Sequence, residues 1–126
     1  MSNLWPPSIQ RSVSATYRPL WRFSPADIEW FGMAGWPYRT DSRGPAAVAE
    51  HILGPMMTDW QDLRVSPLDY YDAGDAIIST GRYSGAYRRN STSMVVAFAH
   101  IWTVGGGRLR RFRQFSDTLA LYRAMQ

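Results

Sequence analysis

The sequence contains no cysteine and no lysine, and its only histidines are His51 and His100. The missing cysteines exclude a disulfide scaffold, thiolate metal sites and a cysteine nucleophile. Two histidines could hold zinc only with carboxylate help, and no ligand spacing for such a metal site occurs. No uncharged apolar run approaches the roughly 20 residues that cross a bilayer. Trp5, Pro6 and Pro7 stand where a secretory signal would carry its apolar stretch. The chain is therefore expected to be a soluble, cytoplasmic domain with no membrane partner. Its 126 residues suffice for one domain that buries roughly two-thirds of its unfolded surface.

Without lysine, all 14 basic residues are arginine, and the net charge is +4 with a pI near 9.9. Arginine suits bidentate anion recognition, and a basic chain permits nucleic-acid binding without arguing for it. The densest cluster is Arg108, Arg110, Arg111 and Arg113. On a strand these side chains alternate between faces, which breaks up any stripe that could track phosphates. The residues thus argue against a nucleic-acid partner and for solvated or ion-paired arginines.

Residues 1–24 show neither helical nor strand periodicity and hold Pro6, Pro7 and Pro19. From Asp27 the pattern sharpens: Asp27 to Met33 reads as a short strand, followed by the aromatic loop Gly35-Trp36-Pro37-Tyr38. Arg43-Gly44-Pro45 opens a helix with proline in its first turn, where the missing N–H costs nothing. Val48, Ile52 and Leu53 give it an apolar stripe, and Gly54-Pro55 is expected to end or kink it. His51 reads as a solvent-edge helix residue. Four strands follow, over Asp62–Asp72, Asp75–Arg89, Ser93–Val104 and Arg108–Asp117. Ala73-Gly74, Asn90-Ser91 and Gly105-Gly106-Gly107 supply the turns, and Pro67 marks an edge or a bulge. Leu119 to Met125 reads as a short amphipathic helix. Strand, helix and antiparallel meander make an α+β pattern: a curved sheet that needs helices on one face.

Two-residue turns at Asn90-Ser91 and Gly106-Gly107 would fix which side chains share a face. One face then collects Ser79, Gly81, Tyr83, Tyr87, Val96, Phe98, His100, Trp102, Arg111, Arg113, Phe115 and Asp117. It is aromatic with a few polar groups, as a ligand pocket should be. The other collects Thr80, Arg82, Val95, Ala97, Ala99, Ile101, Phe112, Gln114 and Ser116. It is flatter and richer in small residues, which suits a partner subunit. A one-residue shift at either turn would reverse the assignment.

Six segments occur in order: Trp36-Pro37-Tyr38, Arg43-Gly44-Pro45, Asp72-Ala73-Gly74-Asp75, Gly81-Arg82-Tyr83-Ser84-Gly85, Phe98-Ala99-His100-Ile101-Trp102-Thr103, and Arg111 to Thr118. As a set they resemble the SnoaL-like, ketosteroid-isomerase-related group of the nuclear-transport-factor-2-like superfamily, over residues 25–126. The resemblance implies an α+β cone, cystatin-like in its roll, with a pocket between a curved sheet and helices. It also implies a homodimer, no cofactor and a small-molecule ligand. Such proteins include isomerases, polyketide cyclases, epoxide hydrolases and proteins with no assigned reaction, so the fold alone does not fix function.

Carried over residue by residue, the resemblance is selective. The two aspartates of ketosteroid isomerases would fall near Gly32 and Ala99, and neither carboxylate is present. Limonene-type epoxide hydrolases use an Arg-x-Asp on the third strand, where this chain has Arg82-Tyr83-Ser84. The cyclase-like pattern fits best, with His100 and Asp117 as the candidate catalytic pair. In that role Asp117 would abstract a proton beside a carbonyl, its pKa raised by an aromatic pocket. His100, Tyr83 or Arg113 would hydrogen-bond the developing enolate oxygen. Phe98, Trp102, Phe115 and Tyr70 would line the pocket, with Trp36 and Tyr38 at its mouth. The register separates His100 from Asp117 by about 13 Å at ~3.3 Å per residue, so the pair would flank a substrate.

Each assignment has a structural alternative. Asp117 precedes Thr118 and the last helix and can serve as its N-cap, or it can neutralise Arg111 or Arg113. His100 can be a satisfied wall residue, and the aromatics can be core. A non-catalytic ligand-binding or interaction module of the same fold is the competing function. Relatives begin with an amphipathic helix, a Gly-Asp turn and a second short helix; residues 1–24 offer no such pattern. They are expected to be an atypical N-terminal segment that leaves the cone without part of its lid.

Overall fold

The computed structural model describes residues 28–105 and 108–126. The expectations for residues 1–24, for Asp27 and for the Gly106-Gly107 turn lie outside the described residues. Strand β1 is Glu29–Phe31, with Trp30 buried between two half-exposed neighbours. It pairs antiparallel with β2, Asp41–Arg43, a strand the sequence pattern does not suggest. Three polar residues carry no apolar alternation, and β2 is held instead by Gly32 N–H to Thr40 O (2.7 Å) and Gly44 N–H to Ile28 O (2.8 Å).

Gly44, at φ +85°, turns the chain from β2 into helix α1, Pro45–Val48. The helix neither ends nor breaks at Gly54-Pro55. It passes through a π-helical turn, Ala49–Leu53, into α2, Gly54–Asp59. Pro55 has no N–H, and its ring would press on the carbonyl four residues back. The wider turn, with Gly54 N–H bonded to Ala49 O, absorbs that misfit. Val48, Ile52, Leu53 and Met56 are buried against the sheet.

Strands β3 (Trp60–Asp72), β4 (Ala76–Tyr87), β5 (Ser93–Gly105) and β6 (Arg108–Ser116) form the expected meander. The sheet is larger and mixed, however: its order is β2-β1-β6-β5-β4-β3, and β1 lies parallel to β6. Pro67 stands on an edge strand and at a bulge, since β3 is outermost and its register shifts between Pro67 and Asp69. Gly74, at φ +87°, makes the β3–β4 turn, and its N–H donates to Asp72 Oδ1 at 2.9 Å.

Two register findings decide which side chains meet. The β4–β5 connection is longer than two residues, with Ala86 opposite Ser93. Relative to the expected register the shift is even, so every β4 and β5 residue keeps its expected face. Between β5 and β6 the pairing starts as expected, with Gly105 opposite Arg108 and Val104 opposite Leu109. Then Thr103 lies opposite Arg111. Arg110 is the extra residue, and its Nε donates back to Gly105 O at 3.1 Å. This single insertion inverts β6: Phe112, Gln114 and Ser116 turn inward, and Arg111, Arg113 and Phe115 turn outward. Helix α3, Thr118–Ala124, closes the fold with Leu121 and Ala124 buried. Asn90 clamps its end, donating from Nδ2 to Ala124 O (3.0 Å) and Gln126 O (2.7 Å).

Candidate functional site

Three adjacent strands bring polar side chains together on the inner face. Tyr83 comes from β4, His100 from β5 and Gln114 from β6, with His100 directly opposite Gln114. Each is 2% exposed or less. The Tyr83 hydroxyl meets His100 Nε2 in a short hydrogen bond and donates to Gln114 Oε1 at 3.2 Å. A phenol has one proton; with it spent on Gln114, the bond to His100 requires a proton on Nε2. Gln114 Nε2 then reaches Met33 Sδ at 3.9 Å.

The walls are aromatic. Phe98 stacks on His100 with centroids 3.9 Å apart and planes at 15°, and Phe112 meets the same ring edge-on at 4.7 Å. Phe98 also packs on Tyr83 at 4.6 Å. Trp102 lies 5.9 Å from His100 and donates its indole N–H to the buried Ser79 Oγ at 3.0 Å. Burial holds the His100 pKa well below the ordinary histidine value, because nothing in an aromatic shell replaces the solvation of an imidazolium. His100 is accordingly a neutral imidazole at pH 7.

Trp36 is buried and packs between Tyr38 (5.4 Å) and Tyr83 (6.5 Å), so the aromatic loop reaches the cluster. The Tyr38 hydroxyl is engaged elsewhere. It donates to Asp59 Oδ2 (2.9 Å) and accepts from Trp60 Nε1 (2.8 Å), tying the loop to the end of α2. Burial, reinforced by Asp59, raises its pKa well above the usual phenol value. Tyr70 is half-buried against the core, opposite Ser79.

Three expected residues are placed elsewhere by the Arg110 bulge and by α3. Phe115 is 42% exposed on the outer face. Arg113 is on that face too, with its Nε buried and unpartnered. Asp117 is exposed and is the N-cap of α3, its Oδ1 accepting from Ala120 N–H at 3.1 Å. Sequence reasoning put Gln114 and Phe112 on the wrong face. The signal that finds them is the three-residue spacing of Leu109 and Phe112, both buried, which an unbroken strand cannot bring to one side. Gly32 borders the same cluster: a Cβ there would lie 3.1 Å from Trp36 Cδ1 and 3.5 Å from Gln114 Nε2. The position where the resemblance puts an isomerase base is thus beside Gln114, and it carries no carboxylate.

Among the described residues, no group of three or more histidines or carboxylates is placed to hold a metal. No described helix is long and apolar enough to cross a membrane.

No family model and no curated protein matches the chain. Solved structures do. A nuclear-transport-factor-2-like (NTF2-like) protein from Burkholderia thailandensis is 34% identical with a TM-score of 0.81, over 86% of this chain and 83% of that one. The chain belongs to the NTF2-like family. The same fold recurs in TerC, crystallised with polyporic acid, at 22% identity and a TM-score of 0.75 over 86% of this chain and 84% of that one. It recurs again in a candidate SnoaL-like polyketide cyclase from Jannaschia sp. (16%, TM-score 0.78, over 94% and 88%). At those identities the likeness is of fold, and the family's NTF2-like roll is what β1–β6 and the helices of this chain build.

Proposed function

We propose that this NTF2-like domain binds a compact, mostly apolar small molecule through one oxygen, recognised by Tyr83 with His100 and Gln114. The observation that carries this reading is a buried phenol–imidazole–amide chain enclosed by Phe98, Trp102, Phe112 and Trp36. If the Tyr83 O–H turns from Gln114 to a ligand, it donates to a carbonyl or enolate oxygen while His100 Nε2–H donates to the phenol oxygen behind it, and aromatic walls strengthen each bond. In a catalytic version, this donor polarises a ketone while solvent water takes up the α-proton and returns one to the enolate, a cofactor-free isomerase- or cyclase-type proton transfer. TerC, crystallised with polyporic acid, supports an aromatic ligand class. Two observations favour a second, non-catalytic reading: Asp117 is engaged as a helix cap, and the three polar groups are already almost fully enclosed.

Tryptophan-fluorescence titration with 2-naphthol and naphthalene tests binding. The naphthol should bind roughly tenfold more tightly, the worth of one buried hydrogen bond, and Tyr83→Phe should erase the difference. Equal binding of the two probes, or a preference that survives in Tyr83→Phe, overturns the site. Deuterium exchange into 2-tetralone, followed by NMR, tests catalysis. Exchange above the buffer rate that is lost in Tyr83→Phe and kept in Asp117→Asn supports turnover by the cluster; no exchange selects the binding reading. Asparagine preserves an N-cap, so loss of exchange in Asp117→Asn would make Asp117 the base after all.

The outer face is read as the seat of a second copy. Val95 is 65% exposed there beside Ala97, Ala99, Ile101 and Phe115, and the unpartnered Arg113 Nε lies among them. Val95→Glu should convert a sedimenting dimer to monomer, and a wild-type monomer at micromolar concentration would refute this.

A further inference from the structure

We infer that the cleft between β2 and the helix that follows it is a binding site for a small oxyanion, the carboxylate or phosphate group of a ligand. The cleft encloses about 280 Å³ and is lined by Arg39, Asp41, Ser42, Arg43, Ala47 and His51. It shares no residue with the Tyr83–His100–Gln114 cluster. Ala47 and His51, one helical turn apart, form one wall, and the exposed edge of β2 forms the other.

Its charges are not balanced from within. Glu29 is shared between Arg43 (3.6 Å) and Arg111 (3.4 Å), so one carboxylate serves two guanidiniums. Arg39 is exposed and makes no ion pair with the described residues. Among the described residues, Asp41 is the one carboxylate lining the cleft, against two arginines, and exposed Glu50 lies 3.8 Å from His51 Nε2. Guanidinium forks match the planar two-oxygen face of a carboxylate or phosphate, and two on one cleft can grip it from two sides.

The uncharged groups point the same way. Ser42 also lines the cleft, although its Oγ is itself buried, on the side of β2 that faces Trp30. The β2 backbone adds donors, because Gly32 N–H to Thr40 O and Gly44 N–H to Ile28 O turn the even-numbered residues toward β1. By the alternation of an antiparallel ladder, the N–H groups of Asp41 and Arg43 then face the open edge. The cleft therefore offers guanidiniums, amides and an imidazole, with one carboxylate to orient a ligand that also carries a donor.

An NMR titration of the full chain with acetate and with inorganic phosphate, at ionic strength held constant with sodium chloride, tests the site. Saturable shifts are expected at the amides of Asp41 to Ala47 and at the His51 ring, and the tighter of the two anions identifies the group. The Arg39→Ala/Arg43→Ala variant should weaken binding roughly tenfold or abolish it. Both side chains are exposed, so the fold should survive, and Arg82→Ala on the outer face should leave binding unchanged. Shifts that never saturate with either anion, or that are identical in the double variant, overturn the proposal.

Discussion

Gly81→Ala is expected to destabilise the protein by about 3 kcal/mol, at the upper end of overpacking costs. A Cβ at Gly81 would lie 2.2 Å from Ser66 O, 2.8 Å from Pro67 Cα and 2.9 Å from Phe98 Cζ. Two of those atoms are backbone, so relief requires β3 to move as a unit; no rotamer change suffices. β3 is pressed onto β4 here by the bulge between Pro67 and Asp69, and glycine is what that approach demands. Gly74→Ala is the informative contrast, because φ is +87° but nothing lies within 4 Å. It should cost only about 1 kcal/mol of backbone strain. Urea unfolding of both variants checks the order, and a Gly81→Ala loss no larger than that of Gly74→Ala would refute the close approach.

The second large effect is a loss of stability in acid that belongs to His100. Its folded pKa is lowered by burial, while in the unfolded chain it titrates near 6.5. Below that value the unfolded state takes up a proton that the native state refuses. Stability is thus fully present above about pH 6.5 and falls by roughly 1.4 kcal/mol per pH unit as pH drops, until the folded pKa is reached. His100→Gln retains a hydrogen-bonding side chain and removes the titration. Its unfolding free energy should therefore lack this slope, whatever its absolute value. Parallel pH profiles for wild type and His100→Gln would show that the imidazole is not excluded from water.

Much of this arrangement is legible in the sequence where the rules are local. Gly44-Pro45 marks a helix start, Pro67 marks an irregular edge, and alternation along β4 and β5 puts Tyr83, Phe98, His100 and Trp102 on one face. That face is insensitive to the longer β4–β5 connection because the offset is even. The face of β6 is not, because one inserted residue, Arg110, reverses a period of two, and charge pattern gives no hint of it. β2 escapes notice for another reason: Asp41, Ser42 and Arg43 are held by pairing to β1, which no propensity encodes. The parallel joining of β1 to β6 is likewise a contact between distant segments. Asp117 shows the remaining limit. Its sequence context fits a general base and a helix cap equally well, and only the direction of its side chain separates them.

The irregularity of β3 also bears on solubility. An outermost strand of 13 residues would ordinarily offer a long template for edge-to-edge aggregation. Here Pro67 withholds a donor, and offsets after Gln61 and Pro67 interrupt the ladder. Asp62, at φ +54°, breaks the extended backbone near its start. No incoming strand can pair in register along its whole length. With Leu68 and Tyr71 exposed on this strand, the kinks act as a safeguard against fibre-like growth of the sheet.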